Sequence, residues 1–315
     1  MRLAIGKIWV FDPTEIALLR RLFKVLAMAN SWLSNSNLTQ RPRRPQRSAG
    51  HLALLAKVWS LLVGVWSFSL VCPAQQSNVS AVSESATRAR RIYWEAEARY
   101  KKEPKNVEAA WQFGRACFDV ADFSTNSTER AEIAEEGIAA CKQALARNRD
   151  SAVAHYYLGM NLGELAQTRG LSALKLVDQM EKEFELARTM DEHLDYAGPD
   201  RNLGLLYRDT PSWISIGSKS QARKHLLRSV ELAPGYPENR LNLAEGDLKW
   251  SDHNGARREL KALEELLPMA RTNFVGAEWN SSWADWEQRV KQLKKKVEQP
   301  SKALESPRQK TDGNR

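Results

Sequence analysis

The side chains best suited to chemistry are sparse. Beyond residue 74 the histidines are His155, His193, His225 and His253, and none pairs with another at the spacing of a helical zinc site. No GxSxG nucleophile turn and no phosphate-binding glycine loop occurs. The densest polar group is Asp191-Glu192-His193-Leu194-Asp195, which could ligate a metal if its side chains converged and otherwise reads as a solvated turn. Cys117 and Cys141 are an even pair, open either to a disulfide or to two small buried side chains. The expectation is therefore a non-enzyme with no cofactor and no catalytic residue.

Charge narrows the partner classes. The formal charge is +9, but residues 1–74 hold ten Lys and Arg against Asp12 and Glu15. The remaining chain is nearly neutral, which leaves little for counterion release and argues against nucleic acid. Within the leader, Arg41 to Arg47 precedes an apolar run from Leu52 to Val71 and then Cys72-Pro73-Ala74. A basic stretch, an apolar stretch and a small residue are the parts of a secretory signal cleaved after Ala74. An uncleaved membrane anchor is the alternative, since the run approaches the ~20 residues that span a bilayer. Residues 1–50 read as a basic, unstructured leader, 51–74 as signal or anchor, 75–300 as the folded body and 301–315 as a disordered tail. Membrane contact is expected only through the N-terminal segment.

The body is organised by Gly114, Gly159 and Gly204, which recur at equal spacing inside apolar runs, with Ala244 in the fourth place. Glycine inside a helix costs about 1 kcal/mol relative to alanine, so a regular series signals close helix packing. Asn78 to Ser85 reads as a polar linker, followed by a helix from Glu84 to Lys102 that packs ahead of the first pair. At the other end Trp279, Trp283 and Trp286 lie on one helix face, where they would seal the last repeat or offer a ring platform to a ligand. Asp122 to Thr128 and Asp209 to Gly217 read as insertions between paired helices, and Ser218 with Gln221 as a helix start.

These residues resemble tetratricopeptide (TPR) repeats. The third repeat carries Leu203-Gly204 and Tyr207, then Ala222, Leu226 and Ser229, and ends at Pro234; the others read Leu158-Gly159 and Phe184, Phe113-Gly114 and Cys141, and Leu243-Ala244 and Pro268. The fold class this implies is all-α, a right-handed α-solenoid of about four expanded helix pairs with packing helices at both ends. The intervals exceed the 34 residues of the common repeat. Expanded repeats behind an export-like leader, with the segment from Trp213 to Tyr236, look like the periplasmic TRAP-transporter-associated TPR family.

That resemblance implies a periplasmic protein-interaction module beside the substrate-binding subunit of a solute transporter. A periplasmic carrier of a small amphipathic or apolar ligand is the alternative. Placing the TPR consensus on the first helices gives the groove candidates Trp111, Arg115, Phe118, Tyr156, Met160, Arg201, Leu205 and Arg208. Rings would supply contact area and guanidinium forks would pair with carboxylates.

Overall fold

The computed structural model describes residues 73–213 and 215–298. The leader, most of the signal-or-anchor segment and the C-terminal tail lie outside the described residues. Within them the chain is all-α, in the order α1 (Pro73–Lys102), α2 (Val107–Phe123), α3 (Ser127–Arg147), α4 (Ala152–Ala166), α5 (Leu174–Met190), α6 (Leu194–Asp209), α7 (Lys219–Leu232), α8 (Pro237–Lys249), α9 (His253–Asn273) and α10 (Asn280–Glu298). Short 3₁₀ turns at Gly170–Ala173 and Ala277–Trp279 precede α5 and α10. Helices α2 to α9 form four consecutive antiparallel pairs, α2/α3, α4/α5, α6/α7 and α8/α9. The first helices of successive pairs also touch one another, α2 with α4, α4 with α6 and α6 with α8, and α10 continues this inner row against α8. The expected solenoid, with a helix at each end, is the observed architecture.

Local chemistry sets the helix starts. The side chains of Asn106, Asn126, Ser151, Ser218 and Asp252 each accept a bond from a backbone N–H in the first turn of α2, α3, α4, α7 and α9. Such caps satisfy donors that a helix N-terminus leaves free, each worth about 1 kcal/mol. Packing within the pairs depends on the small residues. A methyl group on Gly114 would overlap Cys141 Sγ. One on Gly159 would come 2.6 Å from the Phe184 ring, and one on Gly204 would come 2.7 Å from Leu226 Cγ. Ala244, fully buried, holds the same place in the fourth pair.

Two readings of the connections are corrected. The stretch from Asn78 to Ser85 is not a linker, because α1 starts at Pro73 and runs through it. Proline suits a first helical turn, and no glycine or second proline interrupts the run to Lys102. Nor is Asp122 to Thr128 an insertion. Asp122 and Phe123 end α2, and only Ser124 to Asn126 separate it from α3. The extra length of the first repeat resides in its helices, 17 and 21 residues long. The third pair does carry a long connection, from Thr210 to the Ser218 cap.

The two cysteines are free thiols and no bridge joins them. Cys117 packs with Ala89, Tyr93 and Phe113, whereas Cys141 packs into the neighbouring core with Phe118 and Leu158. Burial pushes both thiols up, away from the reactive thiolate form. The tryptophan stripe is a seal: Trp279, Trp283 and Trp286 are buried with Tyr236, Phe274, Leu260 and Leu263. Trp283 Nε1 donates to Phe274 O at 2.8 Å.

If the glycines set the pair spacing, Gly114→Ala should destabilise the chain by about 1–3 kcal/mol. Cys141→Ala in that background should restore part of the loss, because it removes the sulfur that the new methyl meets. Urea unfolding of the four chains of this cycle measures the coupling, and strictly additive effects would show that the contact is not the constraint.

Candidate partner-binding groove

A cavity of about 320 Å³ lies between α1 and α2. On α1, Arg88, Ile92, Glu95, Ala96 and Arg99 recur at intervals of three and four, so they form one stripe of the helix. Trp111, Gln112, Arg115, Ala116 and Asp119 form the facing stripe of α2. Glu278, from the turn before α10, closes one side and approaches Arg88 at 3.8 Å. The floor is apolar and the rim charged. Trp111 is fixed by stacking on Tyr157 of α4, with ring centroids 6.3 Å apart and planes within 6°. Arg115 lies over the same tyrosine at 5.7 Å and meets Asp119 at 3.8 Å. Arg99 donates to Gln112 Oε1 at 2.6 Å.

Of the eight groove candidates, the structure brings only Trp111 and Arg115 to this cavity. Phe118, Tyr156, Met160 and Leu205 are buried in the main core, correcting their expected exposure. The reason is the inner row itself: where α2 meets α4 and α4 meets α6, positions that the repeat pattern turns toward a groove are covered by the neighbouring inner helix. Tyr156 Oη donates to Asp195 Oδ2 at 2.7 Å and accepts from Asn202 Nδ2 at 2.9 Å, and Asn202 also reaches Met160 Sδ.

Arg201 is likewise internal, with no exposed surface. It stabilises an unusual backbone segment, Asp195, Tyr196 and Ala197, all in the left-handed region at φ 56, 57 and 60. Non-glycine residues there cost roughly 1–2 kcal/mol each. Arg201 donates to the carbonyls of Tyr196 and Asp195 and to Asn239 Oδ1, while Asn239 Nδ2 donates to Tyr196 O. The polar run at 191–195 thus shapes the start of α6, with Asp191 Oδ1 accepting from the His193 backbone.

Arg208 faces a second cleft, about 390 Å³, with Glu245, Lys249 and Arg289. Its charges are satisfied internally. Arg208 forms two bonds to Asp209, at 2.9 and 2.7 Å, and Arg289 holds Glu245 through two bonds at 2.9 Å. Burial opposes ionisation of Glu245, but the adjacent Arg289 and Arg208 hold it below the usual carboxylate range.

A further polar group, not anticipated from sequence, joins α2, α3 and α4. Arg130 donates to Glu164 Oε2 at 3.0 Å and to Ser124 O at 2.7 Å. Burial and the neighbouring Asp122 push Glu164 up to about 8, against the attraction of Arg130. Burial likewise pushes Asp122 up to about 7; Arg130 opposes this, and Asp119, Asp285 and Glu238 reinforce it. Arg130 lowers both carboxyls, but burial outweighs it and both stay above their usual range. Sequence reasoning also passes over Arg88, Arg99 and Glu278. The three- and four-residue stripe on α1 is a readable signal for the arginines, whereas Glu278 meets them only through the folded chain.

The paired helices, their glycine contacts and the inner row define an α-solenoid of the TPR type. The family described as RMD1-3, regulator of microtubule dynamics protein 1-3, matches residues 76–196, which run from α1 into the start of α6. Among solved structures, the chain is similar to TTC0263, a thermophilic TPR protein of Thermus thermophilus. The identity is 17%, with 70% of this chain and 98% of that one covered, at a TM-score of 0.51. MamA is a further match, at 14% identity, 64% and 98% coverage and a TM-score of 0.41. No curated protein sequence matches.

Two outcomes are expected from these placements. Arg201→Ala should cost about 3–5 kcal/mol in urea unfolding, because it removes the buried charge that holds the left-handed segment. Arg115→Ala, on the groove rim, should stay within about 0.5–1 kcal/mol of the unaltered chain. Similar losses would contradict the internal role of Arg201. The second outcome concerns pH. Glu164 and Asp122 hold protons more tightly folded than unfolded, so their stabilisation is complete below the ordinary carboxylate pKa, near ~4, and is lost as pH rises through about 7 and 8. Glu164→Gln should therefore flatten the fall in Tm between about pH 5 and pH 8. A slope unchanged by the substitution would contradict this assignment.

Proposed function

We propose that this chain is a non-catalytic protein-interaction module and that the groove between α1 and α2 captures its partner. The observation that carries the reading is a cavity with an apolar floor, a stacked Trp111 and a rim of three arginines interleaved with Glu95, Asp119 and Glu278, set on a stack of helix pairs. Stacked pairs supply extended surface rather than a reaction centre. Aromatic and arginine side chains of this kind dominate binding energy at protein interfaces.

Two narrower partner classes have specific support. The similarity of residues 76–196 to the regulators of microtubule dynamics favours a partner in microtubule regulation. The expanded repeat length and the segment from Trp213 to Tyr236 favour an accessory role beside a TRAP-type transporter, outside the cytoplasm, to which the export-like leader would deliver it. The family similarity takes precedence because it includes both helices that form the groove.

Capture experiments with the full chain separate these readings. The unaltered protein should pellet with polymerised tubulin or retain a named partner from a host extract, and Trp111→Ala/Arg115→Ala should lose about tenfold or more of that capture. Recovery of a transporter binding subunit, with no microtubule-associated protein, would select the transporter class. Equal capture by the unaltered and doubly substituted chains would remove the groove from consideration.

A further inference from the structure

We infer that the groove receives an acidic segment of a protein partner, and that Glu278 stands in for one of that partner's carboxylates when the groove is free. This rests on the interaction-module reading and specifies the chemistry of its partner.

Arg88 and Arg115 both line the groove, and their side chains are each 25% exposed. Neither donates a hydrogen bond to any described residue. Their nearest carboxylates, Glu278 and Asp119, stand at 3.8 Å, beyond hydrogen-bond distance. A guanidinium presents five N–H donors in a fixed fork, and partly desolvated donors favour an ionised acceptor. The second cleft provides the contrast, since Arg208 and Arg289 there are closed by short bonds to carboxylates of the chain itself. Of the remaining groove charges, Glu95 is taken by Arg91 at 3.0 Å, and Arg99 keeps Glu103 at 3.6 Å. Among the described residues, then, Arg88 and Arg115 have no hydrogen-bonded acceptor, above a floor of Ile92, Ala96 and Trp111. Carboxylates flanking a large apolar side chain complement both features.

Glu278 reaches the groove through a particular backbone device. Gly276 has φ 100, a conformation open to glycine, and a Cβ at this position would lie 2.6 Å from Glu278 Oε2. The carboxylate can therefore fold back over Gly276 and face Arg88 on α1. A partner carboxylate within bonding distance of Arg88 would take its place. Glu278 then acts as a weak internal competitor, lowering affinity for the segment that the arginines recognise.

The test uses the full chain and a fluorescein-labelled peptide, Asp-Glu-Leu-Phe-Glu-Asp, with Asn-Gln-Leu-Phe-Gln-Asn as its uncharged counterpart, read by fluorescence anisotropy. The acidic peptide should bind about tenfold or more tightly than the amide peptide, and Arg88→Ala/Arg115→Ala should weaken it by a similar factor. Glu278→Gln should tighten it by roughly three- to tenfold. Failure of the acidic peptide to bind, equal affinity for both peptides, or displacement by myristate would overturn the acidic-segment assignment. An unchanged Kd for Glu278→Gln would overturn the competitor role. Urea unfolding of each variant establishes that the folded chain is being compared. If the unaltered chain captures a partner in the pull-down while these peptides do not bind, the interaction module stands and the acidic-segment assignment falls. If that partner is also captured equally by Trp111→Ala/Arg115→Ala, the groove itself falls.

Discussion

The close approach of the two helices in each pair is the constraint on which the rest of the solenoid depends. Gly114, Gly159 and Gly204 leave room for Cys141, Phe184 and Leu226, large or polarisable groups that would otherwise have to point elsewhere. With each pair drawn together on one side, its other surface can meet the next pair, and the core continues from unit to unit. The inner helices then lie against one another, and this second layer of contact buries side chains that a looser stack would expose.

That distinction explains what was legible in the sequence. The glycine series, the Ser218 cap and the aromatic end seal are local or periodic, so they could be read without knowing how the chain closes. Exposure on the inner face could not. Tyr156 and Arg201 occupy positions that the repeat pattern turns toward a partner, yet the next inner helix covers them. Arg201 sits where a three-residue left-handed segment needs its carbonyls satisfied, and no short-range pattern announces such a segment in Asp195-Tyr196-Ala197. Trp111 and Arg115 escaped this fate because they lie on the stripe of α2 that faces α1, where a cavity remains, whereas Phe118 on the same helix is buried in the core.

Charge is arranged differently along the stack. Toward the C-terminal end Arg289 ties α10 to α8 through Glu245 and Asn242, so guanidinium groups there join helices. In the middle, Arg130 serves two carboxyl groups and both are held in an environment that favours their protonated forms. A buried carboxyl that shares one cation stabilises the chain most where it is neutral. The same residue type is thus used as a helix-to-helix bolt, as a shared counter-ion and, on α1 and α2, as a cation with no bonded acceptor among the described residues.

This last use is the one that hydrogen bonds among the described residues do not account for. A guanidinium that served only solubility would gain from full exposure, and one that served only the fold would gain from a short bond to a carboxylate. Among the described residues Arg88 and Arg115 have neither: they are three-quarters buried, beside an apolar floor, with carboxylates near enough to steady their charge but beyond hydrogen-bond distance. Gly276, at φ 100, leaves room for the Glu278 carboxylate to fold back toward Arg88. An internal carboxylate held just outside bonding range lowers the cost of keeping the groove open without filling it, a balance suited to a surface that must release its own contact in order to make another.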